Sequence, residues 1–503
     1  MPAAGCGAGG FRNGNRLPSC ATSRTRCCAA PPPSTIAPRP AARRGNSCRY
    51  SPATDARAAA EPPAPRAGAH PPAPQQRRIP NQPAIFSCKT DRKPTRYGGS
   101  GSGCRSGRGV PRLPAAPAPG GGEPDAVPPY RARCLKTADA LIGAPLCRAL
   151  GLLPSVAVRE PAALAVRPEN LRRLLVIRPG GMGDMVLLLP LLRRLQRGLP
   201  QVRIELICER RNLDVLRLAG LAEAALPYDA RPAACLRRLR RGAYDAAIDT
   251  EQFHHFSAVL ALLSRAPIRI GFKINPVRNP LYTHLINYAP DGPEAAQFMR
   301  LLAPLGLDTA PPEPAGSLAD LRLEPDPALA ERLRAFAGGE PFAAVHPGAG
   351  SPYKQWPAER FAELAAALRR ELGLKTVWVG GAADRRTCAR AAELASALAA
   401  PCLPLPSARL DDAAFVIRQA RLFIGADSGL AHLATALDAR AVVLFGPSDD
   451  AKWGLRDTRR AVARQDLPCA PCFIFGYHKP CRTAACMRRI SVADVLAQCR
   501  RVL

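Results

Sequence analysis

The chain has 503 residues, 55 prolines, 18 cysteines and a formal net charge of +31. The charge is uneven: residues 1–168 hold 25 Lys+Arg against 7 Asp+Glu, a balance of +18, and the remainder holds 46 against 33, or +13. This excludes a uniformly basic chain and weakens any inference of nucleic-acid binding. No 18-residue apolar stretch occurs, so no transmembrane helix is expected.

Residues 1–130 contain 24 of the prolines and 7 of the cysteines. Proline removes backbone donors and blocks helix interiors. A segment so poor in large apolar side chains cannot offset its ordering entropy, so disorder is expected. Three functional readings compete. A transit peptide fits the Arg-rich, acid-poor composition but not the frequent prolines. A basic arm for nucleic acid lacks the aromatic residues of a stacking platform. A mis-assigned start is the third: after Met1 the next methionine is Met182, so a later start needs an alternative codon, for example at Val127. The cysteines of this region match no disulfide or zinc spacing.

Within residues 131–168, Leu135–Leu153 spaces Leu135, Leu141, Ile142, Leu146, Leu150 and Leu153 roughly helically, accompanied by Arg133, Lys136 and Arg148. Such a helix can lie in a bilayer interface or pack against the next domain. Pro145 should bend it.

From Arg172 strands and helices alternate. Leu174–Ile177 is an apolar strand, Pro179–Asp184 a glycine loop, and Met185–Leu199 a helix with its arginines on one face. Strands follow at Val202–Cys208, Ala246–Asp249 and Arg269–Phe272, with a helix ending near Gly242 and another over Phe256–Ser264. Thr309–Ser317 reads as a linker. The alternation then restarts, with strands at Phe342–His346, Thr376–Val379, Leu422–Ile424 and Ala441–Phe445. Helices fall at Pro327–Phe336, Pro357–Leu372, Asp384–Leu398, Leu410–Ala420 and Gly429–Leu437. Two successive parallel α/β units are expected, residues 169–315 and 316–503.

Three strand-to-helix loops carry candidate chemistry. In Pro179–Asp184, glycines allow close backbone approach and Asp184 stands at a helix start, as a cap or as a base. His346–Pro357 holds Gly348, Gly350, Ser351 and Lys354; loop amides plus one ammonium suit a diphosphate. Gly425–His432 offers Asp427, Ser428, Gly429 and His432 at another helix N-terminus, with Gly446-Pro447-Ser448 ending the next strand. The first loop is neither a dinucleotide nor a Walker fingerprint, which argues against a nicotinamide dehydrogenase.

These segments together resemble glycosyltransferase family 9, the ADP-heptose:lipopolysaccharide heptosyltransferase family, over about Arg172–Val495. Ala266–Phe272 fits the family's middle. The resemblance implies a GT-B fold: two Rossmann-like domains facing a cleft, here preceded by the basic Pro/Ala/Arg-rich segment. The N-terminal domain would take the acceptor and the C-terminal domain the nucleotide sugar. It implies inverting heptosyl transfer from ADP-heptose to the lipopolysaccharide inner core, with no required cofactor. By position Asp184 matches the family's catalytic base, and Asp427 and His432 its donor motif. Lys354 and the amides at Ser428–Gly429 would meet the diphosphate. The loop Gly348-Ala-Gly-Ser351 departs from the hydroxyl residues common in the family. Family members also use other sugars, so another nucleotide sugar is the alternative donor. The alternative class is a non-catalytic membrane or nucleic-acid adaptor.

Arg178, Arg210, Arg211, Arg269, Lys273 and Arg278 are candidates for phosphorylated core sugars, against the alternative of a solvated face. Cys469, Cys472, Cys481 and Cys486 follow C-x2-C-x8-C-x4-C, which suits structural zinc, with packing thiols or a disulfide as alternatives. The expected partners are a nucleotide sugar, the lipopolysaccharide core acceptor and the inner-membrane surface, with no nucleic acid. The expected location is cytoplasmic and peripheral to that membrane.

Overall fold

The computed structural model describes residues 137–153, 166–312, 316–407, 409–474, 477–478 and 481–503. The expected extension, residues 1–130, lies outside them. The described residues begin with a π-helical turn, Asp139–Gly143, that runs into α1 (Ala144–Gly151).

The first sheet region runs β1 (Arg173–Arg178), α2 (Met182–Gly198), β2 (Arg203–Cys208), α3 (Leu213–Leu218), β3 (Ala225–Pro227) and α4 (Pro232–Arg241). It continues through β4 (Ala246–Asp249), α5 (His255–Leu263), β5 (Ile268–Lys273), β6 (His284–Asn287) and α6 (Glu294–Arg300). The second begins with α7 (Pro327–Ala337), β7 (Phe342–His346), α8 (Ala358–Leu372), β8 (Lys375–Gly380), α9 (Arg385–Ala397), β9 (Cys402–Pro406) and α10 (Leu410–Gln419). β10 (Leu422–Ala426), α11 (Gly429–Ala436), β11 (Ala441–Phe445), α12 (Asp450–Trp453), β12 (Arg460–Arg464), α13 (Ala485–Arg488) and α14 (Val492–Val502) complete it.

Each sheet has six strands, all paired in parallel. The orders are β3-β2-β1-β4-β5-β6 and β9-β8-β7-β10-β11-β12, the same doubly wound sequence twice. Ligands in such sheets bind beyond the strand C-termini where the order reverses, here at β1/β4 and β7/β10. The GT-B expectation is therefore met.

The sequence reading missed the strands at both edges of both sheets. β3 (ALP), β6 (HLIN), β9 (CLPLP) and β12 (RAVAR) are short, proline-bearing or polar. Edge strands need bury only one side and tolerate proline, so they do not read as apolar runs.

The two sheets are joined through helices. Leu188, Leu191, Leu192 and Leu195 of α2 are fully or almost fully buried in a core that also takes Leu430, Leu433 and Ala434 of α11. Burying such a leucine contributes about 1.5–3 kcal/mol. An ion pair adds to the joint: Lys452 Nζ on α12 lies 2.8 Å from Glu294 Oε2 on α6, both buried. Burial pushes the Glu294 carboxyl up, and Lys452 and the Tyr288 hydroxyl work against that rise.

Candidate active site

The loop after β1 is built by its glycines and closed by its acid. Gly180 has φ +127°, a backbone region that L side chains rarely adopt. The Asp184 carboxylate accepts the Gly181 N–H at 3.0 Å, so it does cap α2. Capping is not its only contact: Arg178 Nη2, at the end of β1, lies 3.0 Å from Asp184 Oδ1. Arg178 is buried, donates to the Thr250 carbonyl at 2.9 Å, and stands over the Phe298 ring. Despite burial, Asp184 and Glu251 hold its charge in place.

The second sheet brings its two loops together. Lys354 Nζ, from a 3-10 turn at Pro352–Lys354, meets Asp427 Oδ2 at 2.7 Å. It also stands over the Phe473 ring, 4.4 Å from the centroid. Burial alone would raise the Asp427 carboxyl, but Lys354 and His432 pull it below the usual range. His346 Nδ1 lies 3.2 Å from Ser428 Oγ, and its Nε2 3.2 Å from Asp384 Oδ2. Gly348 is required by this packing, because a Cβ there would sit 2.0 Å from Asp384 Oδ1. Beside Gly350 the space is open.

The N-termini of α2 and α11 abut. A Cβ on Gly183 would come within 2.6 Å of His432 Cδ2, and one on Gly429 within 2.2 Å of Met182 Cε. Only glycine permits this approach. It sets Asp184 of one sheet beside His432 of the other. Burial pushes the His432 imidazole down, against the pull of Asp427 and Asp184. A chain of alternating groups thus runs from Arg178 and Asp184, through His432, to Asp427 and Lys354. It brings a carboxylate held by a buried arginine close to an ammonium and a helix N-terminus, the end of a helix that favours an anion.

The remaining sequence candidates divide. Arg210 and Lys273 are exposed, and Arg211 pairs with Glu209. Arg269 is committed to the carbonyls of Leu281 and Ala266. Arg278 is completely buried, where it holds Asp249, Tyr282 and Ser257. Arg178 and Arg278 are buried and Arg269 is half-buried, and all three already have protein partners, whereas Arg210 and Lys273 keep an open surface. The structure adds His346 and Asp384, which the sequence reading gave no role. A signal existed: Gly380-Gly381-Ala-Ala-Asp384 has the spacing of Gly180-Gly181-Met-Gly-Asp184.

Cys469, Cys472, Cys481 and Cys486 line one small cavity with Tyr353 and Pro447, and all four are free thiols. The metal set their spacing suggests is not assembled: among the described residues no three His, Cys, Asp or Glu side chains are placed to share an ion. Cys486 is buried with its sulfur against Gly446, while Cys469 is exposed. The segment serves the site differently. The N–H groups of Cys472 and Phe473 both bond the Pro447 carbonyl at 2.8 Å, which carries the Phe473 ring to Lys354.

The fold and these loops define a protein of two doubly wound parallel sheets with strand-end loops gathered between them. The model of glycosyltransferase family 9 (heptosyltransferase) matches residues 233–485, and the chain belongs to this family. It is a glycosyltransferase. Lipopolysaccharide heptosyltransferase 1 of Pseudomonas aeruginosa is 26% identical over 318 residues, spanning 60% of this chain and 86% of the relative. Lipopolysaccharide heptosyltransferase 2 of Escherichia coli is 29% identical over 330 residues, 61% of this chain and 90% of the relative. Among solved structures, E. coli heptosyltransferase WaaC with ADP-2-deoxy-2-fluoro heptose aligns over 66% of this chain and 100% of its own, with a TM-score of 0.51 and 20% identity. That likeness bears on the fold.

Proposed function

We propose that this glycosyltransferase moves a heptosyl group from ADP-heptose to the inner core of lipopolysaccharide, with inversion at the anomeric carbon. The carrying observation is Asp184, braced by Arg178, facing Lys354 and the α11 N-terminus across abutting helix ends. The lipopolysaccharide heptosyltransferases among the relatives support the donor and acceptor classes.

In this mechanism an acceptor hydroxyl attacks the anomeric carbon opposite the diphosphate. Asp184 accepts the hydroxyl proton as the new C–O bond forms. The bond from the anomeric carbon to the diphosphate oxygen breaks, and ADP leaves carrying the electron pair. Lys354 and the amides at Ser428–Gly429 stabilise the developing negative charge. The Lys354 ammonium has three donors, and Asp427 occupies one, so it can hold phosphate without leaving its place. His432 stands between base and donor side, and its burial disfavours a competing cation there. The acceptor reading also places the enzyme at the cytoplasmic face of the inner membrane.

The test is ligand-induced thermal stabilisation. ADP and ADP-heptose should raise the melting midpoint, and UDP- and GDP-sugars should not. Lys354→Met should remove most of the shift and lower turnover about 100-fold. A UDP-sugar that stabilises the protein while ADP-heptose does not would replace the donor assignment.

A further inference from the structure

The helix before the first sheet is docked inside out. Asp139, Gly143, Cys147 and Gly151, four residues apart, form its inner face. The Asp139 carboxylate accepts the N–H groups of His255 at 2.9 Å and Phe256 at 2.8 Å, capping α5 from another segment. Burial opposes its charge, yet bonds from His254, His255 and these amides hold its carboxyl far below the usual range. Cys147 Sγ donates to the His255 carbonyl. A Cβ on Gly143 would come 2.9 Å from His255 Cβ, and one on Gly151 3.0 Å from Pro280 Cβ. The small and polar positions therefore fix the helix.

The apolar side chains face away. Leu141 is 70% exposed, Ile142 58% and Leu152 84%, with Leu146 and Leu153 also exposed. Among the described residues only Leu398 is a further exposed large hydrophobic. Pro145 lies where the π-helical turn Asp139–Gly143 passes into α1, so the helix continues through it with that irregularity in place of a break. The sequence alternatives were a bilayer face or packing on the domain. The structure supplies the packing with Leu150 alone among these apolar residues and leaves Leu141, Ile142, Leu146 and Leu153 exposed.

Exposed arginines accompany this helix and its neighbour. Arg148 is exposed on it. The neighbouring helix α4 packs on the same α5 and shares a core with Cys147 through Cys235 and Leu239. It exposes Arg237, Arg240 and Arg241. In sequence, Arg131, Arg133 and Lys136 precede the helix, and the single acid within residues 131–153 is the buried Asp139. A second copy packed here would oppose arginine to arginine. An anionic lipid surface complements both features: acyl chains meet the leucines and headgroups the arginines.

We propose that Asp139–Leu153 is a preformed membrane-docking helix, which lays Leu141, Ile142, Leu146, Leu152 and Leu153 into an anionic bilayer surface with α4 arginines beside them. This deepens the reading of a membrane-linked acceptor and rests on it for its use, but its test contains no sugar. Full-length protein is floated with vesicles of phosphatidylcholine alone or mixed with phosphatidylglycerol. Binding is expected on the mixed vesicles. The triple variant L141Q/I142Q/L152Q should partition at least about tenfold less, with an unchanged melting midpoint and unchanged turnover on a detergent-dispersed acceptor. Equal partitioning of variant and wild type overturns the proposal. So does a wild-type dimer, seen by analytical ultracentrifugation, that the variant dissolves. Vesicle binding lost in the variant of a protein that transfers no heptose would sink the heptosyl reading and leave the docking helix standing.

Discussion

Two loops in this molecule share one local design. After β1 and after β8 the chain reads Gly-Gly-x-x-Asp, and in both the aspartate accepts the N–H of the second glycine, at 3.0 Å for Asp184 and 2.9 Å for Asp384. Their side-chain exposures are alike, 27% and 23%. What differs is the partner and the view. Asp184 is held by a buried arginine at the order reversal of its sheet, beside the other sheet's helix N-terminus. Asp384 is held by His346 Nε2, which in turn orients Ser428. Burial would raise the Asp384 carboxyl, and His346 and the Gly381 amide lower it. The same capping acid thus has a buried arginine for its partner in one place and a histidine in the other, and the base role proposed for Asp184 goes with the first setting.

Asp184→Asn should separate them most. Turnover falls by about 10²–10⁴, the range for a lost general base, while Asn retains the capping acceptor and the melting midpoint falls because buried Arg178 loses one of its two carboxylates. Near-wild-type turnover would remove the base from Asp184. Next comes the brace. Arg178→Lys keeps a charge but loses the fork that spans Asp184 and Thr250. We expect turnover to drop about tenfold with an unchanged KM; a KM effect alone would make Arg178 an acceptor ligand.

Asp384→Asn should do far less to chemistry. Turnover stays within about threefold, and stability falls by about 1 kcal/mol as the His346 contact weakens. A larger turnover loss would show that the comparison between the loops is wrong. The smallest effect concerns pH. His432 has a depressed folded pKa, so below its unfolded value of about 6.5 the unfolded chain binds a proton that the folded protein refuses. Stability therefore declines as pH falls from about 6.5 toward the folded value. His432→Gln should flatten that part of the melting curve against pH, and an unaltered slope would exclude His432 as its source.

The central strands were legible because they are buried on both sides: Leu174–Ile177, Phe342–His346 and Ala441–Phe445 need no context to read as apolar runs. The edge strands were not, since Pro404 and Pro406 are tolerated at a sheet edge and Arg460 is buried only because Asp438 and Asp457 pair with it. In the site, the loops that hold Asp184, Lys354, Asp427 and His432 were legible from their glycines, and the structure brings these four side chains near one another. The burial of Arg178 and Arg278 was not legible, because exposure of an arginine is a property of packing and not of its neighbours in sequence.

By itself the sequence determined two α/β units, the loops that end their strands, and the uneven charge, because periodicity and glycine placement are local properties. Tertiary structure decided the rest. It set Gly183 against His432, placed one of two like caps beside the other sheet's helix N-terminus, and buried Arg178 and Arg278. It also turned Leu141 and Ile142 outward. These outcomes depend on which helix faces lie within a few ångströms of each other, and no spacing within one segment records that distance.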